Sequence, residues 1–134
     1  MKKTYRGGCH CGAVRFEAEL DLEAGTGRCN CSICVRQRFW GARTTPAEFR
    51  LLTDPAAMTD YHFNTGSAHH PFCKTCGVAA FGQGDIPQAG GAYVSVNITC
   101  LDDIAPQTLA ALPVRFCDGA NNNWWNAPDV TSYL

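Results

Sequence analysis

Nine cysteines among 134 residues carry most of the chemistry open to this sequence, and seven of them fall into three tight groups. Cys9-His10-Cys11-Gly12 and Cys73-Lys74-Thr75-Cys76-Gly77 each set two thiols one or two residues apart and follow the second with glycine. Cys29-Asn30-Cys31-Ser32-Ile33-Cys34 sets three thiols within six residues. Thiolates serve as metal ligands and as nucleophiles. Disulfides are the competing use. The cysteine count is odd, no apolar export segment follows Met1-Lys2-Lys3, and such close pairs are poorly placed to staple distant parts of a fold. The pattern therefore points to metal in a reducing compartment, and the protein is expected in the cytoplasm.

Zinc takes four ligands at tetrahedral corners. A close cysteine pair supplies two corners if the chain turns tightly between them. The glycine that follows allows a left-handed residue and lets backbone N–H groups point at the thiolates. Cys9, Cys11, Cys73 and Cys76 together make a closed, structural set of four. Binding at such a site contributes about 10–16 kcal/mol at neutral pH, against a typical net domain stability of about 5–15 kcal/mol. Buried free thiols acting as small hydrophobes are the plain alternative.

Cys29, Cys31 and Cys34 offer three corners and leave one open, the pattern of a reactive zinc. Closure by Cys100, Cys117, Asp118 or a histidine from elsewhere in the fold is the competing expectation, and Cys100 and Cys117 are otherwise plain buried thiols. An iron–sulfur cluster fits less well because it needs four cysteines. His10 should point away from the first metal, and His69 and His70 should be exposed. Arg28, Arg36 and Arg38 flank the three-cysteine group and either bind the carboxylates of an anionic ligand or are simply solvated. Trp124 and Trp125 either line a pocket or, the plainer expectation, serve core or surface packing.

The elements that must position these groups are strands. Val14, Phe16, Ala18 and Leu20 alternate with charged residues, the period of a half-buried strand. Phe39–Ala42, Tyr61–Phe63 and Tyr93–Val96 are further strand candidates. Asn64-Thr65-Gly66-Ser67 is turn chemistry. A short helix is expected around Ala105–Ala111 and a turn near Pro46–Phe49. Cys11-Gly12-Ala13-Val14-Arg15-Phe16 is echoed by Cys76-Gly77-Val78-Ala79-Ala80-Phe81, as though two clasps faced each other across one metal.

The chain has the length of one ordinary domain, so 1–134 is expected to be a single zinc-binding β domain. A net charge of −1 with no basic block argues against nonspecific nucleic-acid binding. No stretch reaches the roughly 18 apolar residues of a membrane span.

Gly8-Cys9-His10-Cys11-Gly12, Cys29-Asn30-Cys31-Ser32-Ile33-Cys34 and Phe72-Cys73-Lys74-Thr75-Cys76-Gly77 together resemble the motif set of the glutathione-dependent formaldehyde-activating enzyme family, which includes centromere protein V. The resemblance runs from about Arg6 to Phe81 and more loosely through Val94–Asp103 and Asp118–Trp125. It implies a mainly β, β-tent fold of antiparallel strands. It implies two zinc ions, one structural on Cys9, Cys11, Cys73 and Cys76 and a second on Cys29, Cys31 and Cys34, where three thiolates around an open position are easily oxidised or stripped. The implied activity is that of a carbon–sulfur lyase of the S-(hydroxymethyl)glutathione synthase type, joining glutathione to formaldehyde. On that reading a thiol enters the open position of the second zinc, loses its proton, and attacks a small aldehyde. A noncatalytic zinc-stabilised module that binds a small thiol or a protein partner is the competing class.

Overall fold

The computed structural model describes residues 1–134. Ten strands form β1 (Lys3–Gly8), β2 (Arg15–Leu20), β3 (Thr26–Cys29), β4 (Trp40–Thr44), β5 (Phe49–Leu51), β6 (Met58–Tyr61), β7 (Ala68–Cys73), β8 (Phe81–Ile86), β9 (Gly91–Asn97) and β10 (Val114–Cys117). Two short helices, α1 (Cys34–Gln37) and α2 (Pro106–Ala110), interrupt them. The protein is mainly β. No helix is long and apolar enough to cross a membrane.

The strands divide into a three-stranded sheet, β1-β2-β5, and a seven-stranded sheet, β10-β3-β4-β9-β8-β7-β6. All pairings are antiparallel except one: β10 runs parallel to β3, with Cys117 beside Cys29. The antiparallel architecture expected from the sequence is otherwise realised throughout. The chain that reaches β10 passes through α2 and returns to the sheet edge, the kind of long crossover that parallel neighbours need.

The alternation read in the sequence is realised on β2. Phe16, Ala18 and Leu20 are almost fully buried, and Val14 joins them from just before the strand. From the larger sheet, Ala42, Phe81, Val94 and Val96 belong to the same core cluster. Phe16, Phe49 and Phe81 form its aromatic centre, with Phe49 5.4 Å from Phe16 and 4.7 Å from Phe81 between ring centroids. Each such ring gains roughly 0.5–1.5 kcal/mol beyond simple area burial from its aromatic neighbour. A hydroxyl sits at the join: Thr44 Oγ1 on β4 lies 2.9 Å from the Glu19 carbonyl on β2 and 2.8 Å from Glu48 Oε2, and its single proton serves one of the two at a time.

Other expected elements appear with shifted bounds. The strand read at Tyr61–Phe63 lies earlier, at Met58–Tyr61, and His62 and Phe63 lead into the turn at Asn64–Gly66. The turn takes precedence there because Asn64 and Gly66 are both left-handed, with φ of 57° and 73°. Phe39 lies just outside β4, and the helix near Ala105–Ala111 forms as α2 with those two residues as its caps.

Candidate metal centres

The first cysteine pair sits in the turn between β1 and β2, and the second begins on the last residue of β7 and ends before the chain enters β8. The two turns are built alike. The Cys9 N–H donates to the Val14 carbonyl at 3.0 Å, and the Cys73 N–H donates to the Val78 carbonyl at 3.1 Å. In each, the glycine after the second cysteine is left-handed, Gly12 at φ 85° and Gly77 at φ 76°. A side chain at either would meet open space, so backbone conformation rather than room calls for glycine. The echo in the sequence is thus a repeated turn.

These two turns bring the thiols of Cys9, Cys11, Cys73 and Cys76 within 4.8 Å of one another. Cys11 Sγ lies 3.7 Å from Cys9 Sγ and 3.5 Å from Cys73 Sγ. Tetrahedral zinc with bonds of about 2.3 Å would set neighbouring sulfurs about 3.8 Å apart, so this donor set fits the ion. Backbone N–H groups converge on the sulfurs: Val14 on Cys9 at 3.2 Å, and Thr75 and Cys76 on Cys73 at 3.4 and 3.5 Å. They favour negative charge. The N–H groups of Val78 and Cys11 draw the Cys76 thiol down to about 6. At Cys11 the Ala13 N–H lowers the thiol, but the Cys73 thiol and burial outweigh it and push the group up to about 11. Cys9 and Cys73 are buried while Cys11 is exposed, and all nine cysteines are free.

Cys29 ends β3 and Cys34 begins α1, so a single short turn wraps Cys29, Cys31 and Cys34 around one point. Their sulfurs also lie within 4.8 Å of one another, and all three residues are half-buried. Neither Cys100, Cys117, Asp118 nor any histidine joins the set. Hydrogen bonds from Cys29 and Cys34, with the backbone N–H groups of Cys34 and Ile33, hold the Cys31 thiol down to about 2. The same contacts, with burial, push Cys34 up. The Cys31 thiol likewise raises Cys29, so the three sulfurs hold their protons unequally. Burial lowers His70 and raises Tyr93, and both lie within electrostatic reach of Cys31.

Asn30 ties this turn to the end of β10, a role its place between two cysteines does not announce. Its side-chain amide donates to Asp118 Oδ1 at 2.8 Å, and its side-chain oxygen accepts from the Ala120 N–H at 2.9 Å. Asn30 and Asn121 hold the buried Asp118 carboxyl below its ordinary range. A Cβ on Gly119 would lie 2.5 Å from the Trp124 ring and 2.8 Å from Cys29 Sγ. Trp124 is half exposed, yet its ring covers the glycine beside a candidate ligand. A cleft next to the cluster is lined by Arg28, Cys29, Cys34, Arg38, Phe39 and Tyr133.

The remaining candidates disperse. His10 is exposed. His69 is half-buried with Nδ1 2.5 Å from Asp60 Oδ2, and the Asp60, His62 and His69 ligand atoms lie within 4.8 Å of one another on the β6–β7 hairpin. His70 stacks on Phe63, with centroids 5.5 Å apart, rather than standing free. Cys100 and Cys117 are half-buried and belong to neither cluster.

Comparison with known proteins agrees with this geometry. The sequence profile of a family described as glutathione-dependent formaldehyde-activating enzyme matches residues 4–118. A crystal structure of a Rhodobacter sphaeroides protein superposes with a TM-score of 0.71 at 33% identity, covering 82% of this chain and 99% of that one.

Proposed function

The chain belongs to the glutathione-dependent formaldehyde-activating enzyme family, and from that premise we propose that it joins a thiol of the glutathione type to a small aldehyde, or releases the two from their adduct. The observation that carries this reading is the contrast between the two thiol clusters: one set of four, and one half-buried set of three with no fourth ligand. Zinc is the proposed ion at both, structural at Cys9, Cys11, Cys73 and Cys76. At Cys29, Cys31 and Cys34 a bound zinc would supply an open position at which a thiol is acidified and a carbonyl oxygen polarised.

In the forward direction the sulfur forms a bond to the aldehyde carbon as the carbon–oxygen π bond breaks. The thiol proton ends on the new hydroxyl, so nothing is oxidised or reduced. A free thiol is only a few per cent ionised at neutral pH, so full ionisation gains at most about thirtyfold, or about 2 kcal/mol. Holding the two reactants side by side is worth several kcal/mol more, and that falls to the walls of the site. Arg28, Phe39 and Arg38 line the cleft at Cys29 and Cys34 and are placed to exclude water and orient the thiol's remote end. The free thiols suit a reducing compartment, which supports a cytoplasmic location.

The test is a Cys31→Ser variant compared with Cys11→Ser. Cys31→Ser should stay folded and lose both glutathione binding and the accelerated appearance of S-hydroxymethylglutathione from glutathione and formaldehyde, followed by NMR. Cys11→Ser should lose fold and activity together. Unchanged thiol binding and turnover in folded Cys31→Ser protein would leave a noncatalytic zinc module as the better account.

A further inference from the structure

Two arginines beside the three-cysteine cluster have no anion of their own. The ion pairs of the molecule engage Lys2, Arg6, Arg15 and Arg50, but neither Arg28 nor Arg38. Both nevertheless line the same cleft as Cys29 and Cys34. Two cationic side chains at one recess, neither in an ion pair, favour an anion there.

Each guanidinium is also held in place. Arg28 lies over the Trp40 ring, 4.5 Å from its centroid, and that ring is fixed by its own Nε1 donating to Thr26 Oγ1 at 2.8 Å. Arg38 follows α1 in the left-handed region, with φ 52° and ψ 44°, while its N–H donates to the carbonyl of Cys34. Glycine or asparagine is the usual residue there, and a long side chain pays strain to occupy it. What the strain secures is position: the arginine backbone is tied to that of a candidate metal ligand. Its Nη1 donates to the Tyr133 carbonyl at 2.9 Å, a neutral acceptor that a carboxylate would outcompete. Arg36 supplies the internal contrast. Like Arg38 it is exposed and donates Nη1 to a backbone carbonyl, that of Ser32 at 2.8 Å, but it lies outside the cleft.

The geometry points to Arg28 and Arg38 as a carboxylate-binding subsite that selects anionic thiols for the Cys29, Cys31 and Cys34 centre. The assignment rests on the proposed thiol chemistry of that centre. It accounts for substrate choice without new atoms at the reacting end: the thiol goes to the cysteine cluster and the carboxylate to the two guanidiniums. Tyr133 and Leu134 form the wall that must yield or share the cleft as the carboxylate arrives.

The experiment uses the cobalt-substituted full chain and follows its sulfur charge-transfer absorption during titration. Three thiols serve as probes: glutathione, 3-mercaptopropionate and the uncharged 2-mercaptoethanol. Arg28→Met keeps a long side chain over Trp40, and Arg38→Gly removes the backbone strain, so both should fold with the wild-type cobalt spectrum. Each should bind glutathione and 3-mercaptopropionate at least about tenfold more weakly, the loss expected for one charge-assisted hydrogen bond. Affinity for 2-mercaptoethanol should be unchanged, and Arg36→Met should match wild type with all three. If thiols bind but the Arg28 and Arg38 variants retain wild-type affinity for the anionic probes, or weaken all three probes equally, the subsite is wrong while the thiol chemistry stands. If no thiol alters the wild-type spectrum, the thiol reading falls and the subsite falls with it.

Discussion

Gly12 and Gly77 do for the first cysteine cluster what no other residue type does as cheaply. Both are left-handed, and neither has a neighbour that a side chain would strike. Alanine at either should therefore act through strain alone, costing about 1–2 kcal/mol, seen as a lower denaturant midpoint with an unchanged slope. Gly119 fails for the opposite reason. Its φ is ordinary, but a Cβ would press on the Trp124 ring and on Cys29 Sγ. Gly119→Ala should reduce metal content at the second cluster and leave the first one filled, by metal analysis of the folded protein. The cysteine groups were legible because each group's members lie a few residues apart and the spacing itself encodes the turn. The duties of Asn30 and Gly119 were not, because their partners lie about ninety positions away in the chain and only the fold brings them together.

Among the elements, β2 and β10 mark the two ends of what pattern reveals. β2 alternates cleanly because one face meets the core and the other meets water, and charged residues fill the second. β10 is four residues long, lies at a sheet edge and has no fully buried side chain, so it carries no periodic signal. Yet it brings Cys117–Gly119 alongside Cys29 and Asn30, so the second cluster depends on the least legible strand. Asn30 is the rivet between the two. Residues that orient a ligand-bearing turn typically change metal affinity about 10–100-fold when removed. Asn30→Ala should lower affinity at the three-cysteine cluster by at least about tenfold without touching the four-cysteine one. Hydrogen exchange should show faster opening over residues 118–126, and equal protection in the variant would mean that strand pairing alone holds the loop.

At the scale of the molecule, the four-cysteine cluster spans the division between the sheets. Cys9 and Cys11 close the turn of the three-stranded sheet, and Cys73 and Cys76 close a turn of the seven-stranded one. The partition into two sheets left no mark in the sequence, since strand order across a sheet depends on packing rather than local pattern. With zinc bound, that junction would add about 10–16 kcal/mol to a core of modest size. Chelation should therefore proceed in two stages. The second cluster, half-exposed and with an open position, should lose its ion first with little change in circular dichroism, and loss of the first should coincide with cooperative unfolding. Acid should expose the same dependence. With zinc bound, the thiols would stay deprotonated well below their ordinary range, so their contribution would be complete above that range and lost as protons compete with the ion on lowering pH. The carboxylates are different: the Lys2 ammonium, then Thr44, hold Glu48 at about 2, and its share declines only as pH falls from 4.5 toward that value. If thiolates govern, acid unfolding should begin above pH 4.5, and its midpoint should rise as free zinc is lowered with a buffered chelator. A midpoint below pH 4.5 that ignores zinc would place the carboxylates in control and remove the ion from the account of stability.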